Sequence, residues 1–226
     1  MHIEPGVVDG AKLAISYVTA AGAVGYAAKL ALDTIKQDGV VPLAVRSVIA
    51  TVLVFCFFEV FPHYPVGVSE VHLILGATLF LIFGAGPAAI GLALGLLAQG
   101  LLFAPADLPQ YGMNITSLLL PLLAVSALAR RVIPANTAYK DVTYGQALAL
   151  STAYQGGVVA WVAFWALYGQ GFGAENLAKI GTFSAAYMTV IIIEPLVDLA
   201  ILSVAKALHQ LKDSKVFHPR LYRAAA

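Results

Sequence analysis

Apolar residues in this chain run in long stretches separated by short polar breaks. That spacing fits neither the two-residue alternation of a half-buried strand nor the one-sided stripe of a surface helix. A bilayer core of about 30 Å needs about 20 apolar residues at a rise of about 1.5 Å each, and seven segments approach that requirement. The first covers residues 12–32 and the second 41–61, with a polar loop at 33–39 between them. The next apolar run, 71–104, is too long for one crossing and must fold back on itself. Gly84, Gly86 and Pro87 supply the break, because glycine permits the turn and proline is tolerated at a helix start. Short helices at 71–83 and 87–103 result, followed by helices at 113–133, 143–168 and 180–208.

Composition sharpens this to one class. The chain of 226 residues is 60% hydrophobic with 11% charged residues, against about 25% in an ordinary soluble domain, and its mean hydropathy is +0.86. An all-α polytopic membrane protein is expected, divided into a transmembrane domain at 1–210 and a basic cytoplasmic tail at 211–226. Charge then sets the orientation. With the N-terminus outside, Lys29, Lys36, Arg46, Arg130, Arg131, Lys140, Lys206, Lys212, Lys215, Arg220 and Arg223 are cytoplasmic, and only Lys12 and Lys179 lie outside. The basic residues are sorted by side rather than gathered in a patch, so nucleic acid is not an expected partner. The first ten residues contain Glu4 and Asp9 but no Lys or Arg, so no cleaved leader is expected. The lone Cys56 sits in an apolar run, where it reads as a small buried hydrophobe.

The chemistry concentrates at one end. A chain beginning Met1-His2 offers three nitrogens to one metal ion: the α-amine, the deprotonated His2 amide and the His2 ring Nδ1. One in-plane position stays open, and a second histidine must fill it. His72, delivered by the loop Phe-Pro-His-Tyr-Pro-Val-Gly-Val-Ser-Glu-Val at 61–71, is one source, and His63 within that loop is the other. Nitrogen-only planar ligation suits Ni(II) or a neighbour, whereas zinc prefers a tetrahedron and magnesium or calcium prefer oxygens. Taken singly, a chance histidine at position 2 and an interfacial His72 bonded to loop carbonyls are the plainer readings.

Met1-His2-Ile3 with Gly6, then a Pro/Gly/Ser loop ending in His72-Leu73-Ile74-Leu75-Gly76, resembles the CbiM/NikM family of substrate-capture subunits in energy-coupling-factor importers for cobalt and nickel. Phe83-Gly84, Gln99-Gly100-Leu101-Leu102-Phe103 and Gly112-Met113-Asn114 extend the resemblance to about Pro121. The chain departs from the family at Glu4-Pro5, at Glu70 and in having Asn114 as a single asparagine. The resemblance implies Met1, His2 and His72 as metal ligands, with Ser69, Glu70, Asn114 and His63 as surrounding supports. It implies Ni(II) or Co(II) as transported substrate, with no permanently bound cofactor. It further implies a transmembrane coupling subunit, ATPase subunits and a small accessory membrane subunit as partners, in a bacterial or archaeal plasma membrane. A small-residue face on the first helix, Ala20, Ala21, Gly25 and Ala28, would meet the coupling subunit.

No glycine in the chain is followed by lysine, so there is no phosphate-binding loop and ATP hydrolysis must come from elsewhere. No Ser/His/Asp or His-Glu-x-x-His constellation points to an enzyme. Glu59, Glu194 and Asp198 are acidic groups within apolar helices, where ionisable residues are costly. Glu194 and Asp198 share a helix face, which allows a self-sufficient proton-coupled metal transporter as the alternative function. Their plainer reading is structural, with Arg46 at a similar depth as the partner of Asp198.

Overall fold

The structure, a computed structural model, describes residues 2–211. Met1 and the tail from Lys212 to Ala226 therefore lie outside the described residues. Among the described residues seven α-helices follow one another: α1 (Lys12–Asp38), α2 (Val40–Phe55), α3 (Gly76–Phe83), α4 (Ala85–Leu102), α5 (Tyr111–Val132), α6 (Tyr144–Gln170) and α7 (Ala174–Leu211). Six helical stretches are long and apolar enough to cross a bilayer. The exception is α3. Its eight residues reach about 12 Å, less than half of a core about 30 Å thick.

The sequence predicts a helix from residue 71, but two short strands, β1 (Tyr64–Val66) and β2 (Ser69–Val71), pair antiparallel there instead. Gly67, at φ +66°, makes the tight turn, and its backbone lies against the Lys179 carbonyl on α7, leaving no room for a side chain. From β2 the chain runs non-helical through His72–Leu75 before α3 begins. Irregular backbone between membrane-spanning helices is favoured where protein encloses it, and His72, Ile74 and Leu75 are buried. The Ile74 carbonyl accepts a hydrogen bond from Gln155 Nε2 at 2.6 Å, so the broken helix keeps its polar group paired.

The other turns follow local chemistry. Gly84 breaks the long apolar run as expected, at φ +88°, a conformation glycine adopts without strain. Helix α1 continues through the predicted polar loop to Asp38 and stops only at Gly39. Thr143 caps α6 by accepting from the Gln146 amide, while Gln146 answers from its side chain. Gly91 and Gly95 lie against Ala50 and Val54 of α2, so this small-residue pair serves packing within the chain. On α1, Ala20 faces inward with Ser16, Ala23 and Ala27, while Ala21, Gly25 and Ala28 face outward. The inner stripe of α1 is thus spoken for, and only three of the four expected docking residues are exposed.

One expected pairing is wrong. Arg46 holds Asp38 at 2.6 Å, across the short turn between α1 and α2. Asp198 instead takes the hydroxyls of Thr78 and Ser151. Helix α2 packs chiefly on α4 while α7 packs chiefly on α6, so Arg46 and Asp198 belong to different parts of the bundle. Cys56 is only half-buried, in a π-helical turn, Cys56–Val60, that ends α2. Glu59 in that turn accepts from Gln99 Nε2 at 3.3 Å.

Candidate metal centre

The first residues of the chain add themselves to the hairpin. Ile3 bridges Ser69 antiparallel, the Glu70 amide donates to the His2 carbonyl at 2.8 Å, and the Glu4 amide donates to the Val68 carbonyl at 3.1 Å. Ser69 Oγ also donates to the His2 carbonyl at 2.9 Å, and the Ile3 amide donates to Asn114 Oδ1 at 2.9 Å. Val7 and Val8 are buried, with the Val7 carbonyl against Gly169 on α6. Residue 2 is therefore fixed from both sides: by β2 and by a side chain of α5.

Two histidines 70 positions apart in sequence meet as a result. The rings of His2 and His72 lie 5.1 Å apart, nearly perpendicular, and both pack on Phe58 at 5.2 and 4.9 Å. Glu70 reaches between them, with Oε2 2.9 Å from His2 Nδ1 and 3.4 Å from His72 Nε2. Ligand atoms of His2, Glu70 and His72 all fall within 4.8 Å of one another, close enough to share one ion. His63 stacks on His72 at 4.8 Å, with the rings 9° from parallel.

Electrostatics favour neutral rings beside one carboxylate. Burial lowers the pKa of His72 well below the usual 6.5, and neighbouring positive charge on His2 and His63 pushes in the same direction. Burial also lowers His2, partly offset by its bond to Glu70. For Glu70, burial alone would raise the pKa, but the bond and charge of His2 outweigh it and hold the carboxylate below its ordinary range. Neutral imidazoles are what a metal ion requires of histidine ligands.

Every described residue expected at the metal site lies in this one cluster: His2, His72 and Glu70 at its centre, His63 stacked on it, Ser69 and Asn114 behind it. Sequence reasoning missed the hairpin, Phe58 as the apolar wall, and the central position of Glu70. The alternation Tyr64-Pro65-Val66, Gly67-Val68, Ser69-Glu70-Val71 carries the hairpin signal, weakened by strands of three residues and a proline. A second polar cluster gathers around Glu194 and Asp198, the pair the sequence places on one helix face, and only the structure adds Gln155, Thr78 and Ser151 to it.

A family profile described as the cobalt uptake substrate-specific transmembrane region, CbiM, matches residues 2–210. The crystal structure of a transition metal transporter is similar with a TM-score of 0.65 over the whole of both chains, at 18% identity. That of a truncated transition metal transporter gives 0.64 at 17% identity, covering 94% of this chain and 99% of the other. At these identities the likeness shows a shared fold. No curated protein matches the sequence.

Proposed function

The chain belongs to the CbiM family of cobalt-uptake membrane proteins, and on that premise we propose that it is the substrate-capture subunit of an energy-coupling-factor importer for Co(II) or Ni(II). It takes the ion at the outer face, with His2 and His72 as ring ligands. The Met1 amine and the His2 amide complete the donor set expected from the sequence. The observation that carries the reading is the convergence of His2 and His72, buried on one apolar wall with a carboxylate between them.

In the structure His2 Nδ1 faces Glu70. An ion bound through Nδ1 takes the place of that hydrogen bond, and Glu70 is then within reach to offer an oxygen to the ion. The chain acts as a transporter component rather than an enzyme. In this reading separate ATPase subunits supply the energy, joined through a transmembrane coupling subunit and aided by a small accessory membrane subunit, in keeping with a sequence in which no glycine is followed by lysine. The outward residues of α1, Ala21, Gly25 and Ala28, are the proposed coupling contact, with the N-terminus outside and the basic tail in the cytoplasm of a bacterium or archaeon.

The test is cobalt or nickel retained per purified chain, with any tag kept at the C-terminus. His2→Ala is expected to abolish retention and His72→Ala to weaken it. A glycine placed before Met1 creates Gly-Met-His, whose amine, two amides and ring fill a plane alone, so binding becomes independent of His72. Retention by His2→Ala equal to the parent would place the ion elsewhere, and normal binding by an N-acetylated chain would remove the amine from the ligand set.

A further inference from the structure

Glu194 and Asp198 are fully buried and four residues apart on α7, on one face of the helix. Glu194 Oε1 accepts from the Ala77 amide at 3.0 Å and Oε2 from Gln155 Nε2 at 2.5 Å. Asp198 Oδ1 accepts from the Thr78 hydroxyl at 2.5 Å and Oδ2 from the Ser151 hydroxyl. All four donors are neutral. No Lys, Arg or His forms an ion pair with either carboxylate among the described residues. Such donors orient the carboxylates without cancelling their charge, and uncompensated charge in a membrane interior is expensive.

A second observation points to what is missing. Gln155 is fully buried and its Oε1 has no hydrogen-bond partner. Its Nε2 is held at Glu194, so the carbonyl oxygen of the same planar amide lies within the cluster. The hydroxyls of Tyr154 and Tyr187, buried and likewise without a partner, lie within electrostatic reach of Glu194. The ring carbon bearing the Tyr154 hydroxyl sits against Gly76, next to the Ala77 amide that binds Glu194. The tyrosine hydroxyls can each donate a proton, but ionised carboxylates and the Gln155 carbonyl oxygen only accept, and the complement of that acceptor set, with no cationic side chain paired to it among the described residues, is a cation.

We propose that Glu194, Asp198 and Gln155 form a second, internal site that binds one hard divalent cation through oxygen alone. Two carboxylates balance two positive charges. Each Asp198 oxygen accepts one hydrogen bond and keeps a second acceptor position for the ion. The Gln155 carbonyl adds a further ligand, and the nearby hydroxyl oxygens complete an oxygen-only set of the kind that suits magnesium or manganese. The site differs in donor chemistry from the nitrogen-rich outer one, and it stands whether or not the outer reading holds. One segment joins the two: residues 72–78 carry His72, the Ile74 carbonyl bonded to Gln155, the Ala77 amide bonded to Glu194 and the Thr78 hydroxyl bonded to Asp198.

Mn(II) is the probe, followed by electron paramagnetic resonance on the full chain carrying His2→Ala and His72→Ala, which removes the outer ring ligands. One Mn(II) bound per chain is expected, and adding Glu194→Gln with Asp198→Asn should eliminate it. No bound Mn(II) in the first chain, or undiminished binding in the second, overturns the proposal. Infrared difference spectra on the chain with its interior intact keep the test open where the acid replacements prevent folding. Mn(II) should shift ionised carboxylate bands, whereas a protonated-carboxyl band that Mn(II) leaves unchanged means that protons hold the pair and the proposal fails. Cobalt retention by the parent chain is read separately, so the outer and inner assignments fail independently.

Discussion

The two polar clusters of this protein are built by opposite means. The outer one draws on the chain's beginning and a hairpin: His2, Glu70 and His72 are held by backbone pairing of strands, and Glu70 keeps a quarter of its side chain exposed. The inner one is assembled chiefly by side chains of α3, α6 and α7, with Gln155, Ser151, Glu194 and Asp198 all sealed from solvent. The nitrogen-rich cluster is partly open to solvent, whereas the oxygen cluster is sealed. The seven residues 72–78 serve both, so the comparison can be broken at the shared segment or sharpened at either end.

The largest expected effect is at the shared segment. A Cβ on Gly76 would fall within the ring of Tyr154, a residue with no exposed surface. Gly76→Val should therefore prevent α3 from seating and remove both clusters together, seen as loss of monodisperse protein on size-exclusion chromatography. Next is Gln155→Leu, which strips the Ile74 carbonyl and one Glu194 oxygen of their shared donor. Each unsatisfied group costs about 1–3 kcal/mol, so thermal unfolding in detergent should shift clearly downward while the hairpin contacts of His2 remain. Equal stability of this variant and the parent would show the inner cluster to be looser than drawn.

Smaller effects separate the ends. Glu70→Gln removes the carboxylate between the two histidines without touching the interior, and should weaken cobalt or nickel binding by about 10–100-fold, the usual consequence of losing a residue that orients a ligand. Isothermal titration at neutral pH checks this, with an unchanged unfolding temperature as the accompanying sign. The least effect belongs to Asp38→Asn. Its partner Arg46 is exposed, and such surface pairs contribute about 0–1 kcal/mol, so neither stability nor metal binding should move measurably.

The helices were legible because a bilayer fixes the length of an apolar run, and Gly84 marked the fold-back because few residues turn there without strain. His2 and His72 were singled out from the sequence as complementary donors, and the fold brings their rings together. The start of α3 was not. Residues 71–75 are apolar enough for a helix, and what removes them from it is pairing of Tyr64–Val66 with Ser69–Val71 and a glutamine on α6 that satisfies the exposed carbonyl. The environment of Asp198 was equally hidden, because Thr78 lies 120 positions away and Ser151 lies 47 away. Depth along an axis suggested Arg46, but depth carries no information about which helices are neighbours.

Pairing of the first residues with β2 means that the outer cluster is closed by a zipper rather than by a hinge. Half of the ring donors ride on a strand fastened by the Glu70 amide to the His2 carbonyl, the Glu4 amide to the Val68 carbonyl and a few side-chain bonds, while His72 stays with the bundle. On the proposed reading, unfastening that strand would part the two histidine rings without moving a transmembrane helix, so loading and release would cost only a handful of hydrogen bonds. Amide hydrogen exchange should register this as earlier loss of protection at Glu4 and Glu70 than at Ala77, whose amide is locked onto Glu194. Equal protection at the three amides would mean that the strand and the bundle open only together.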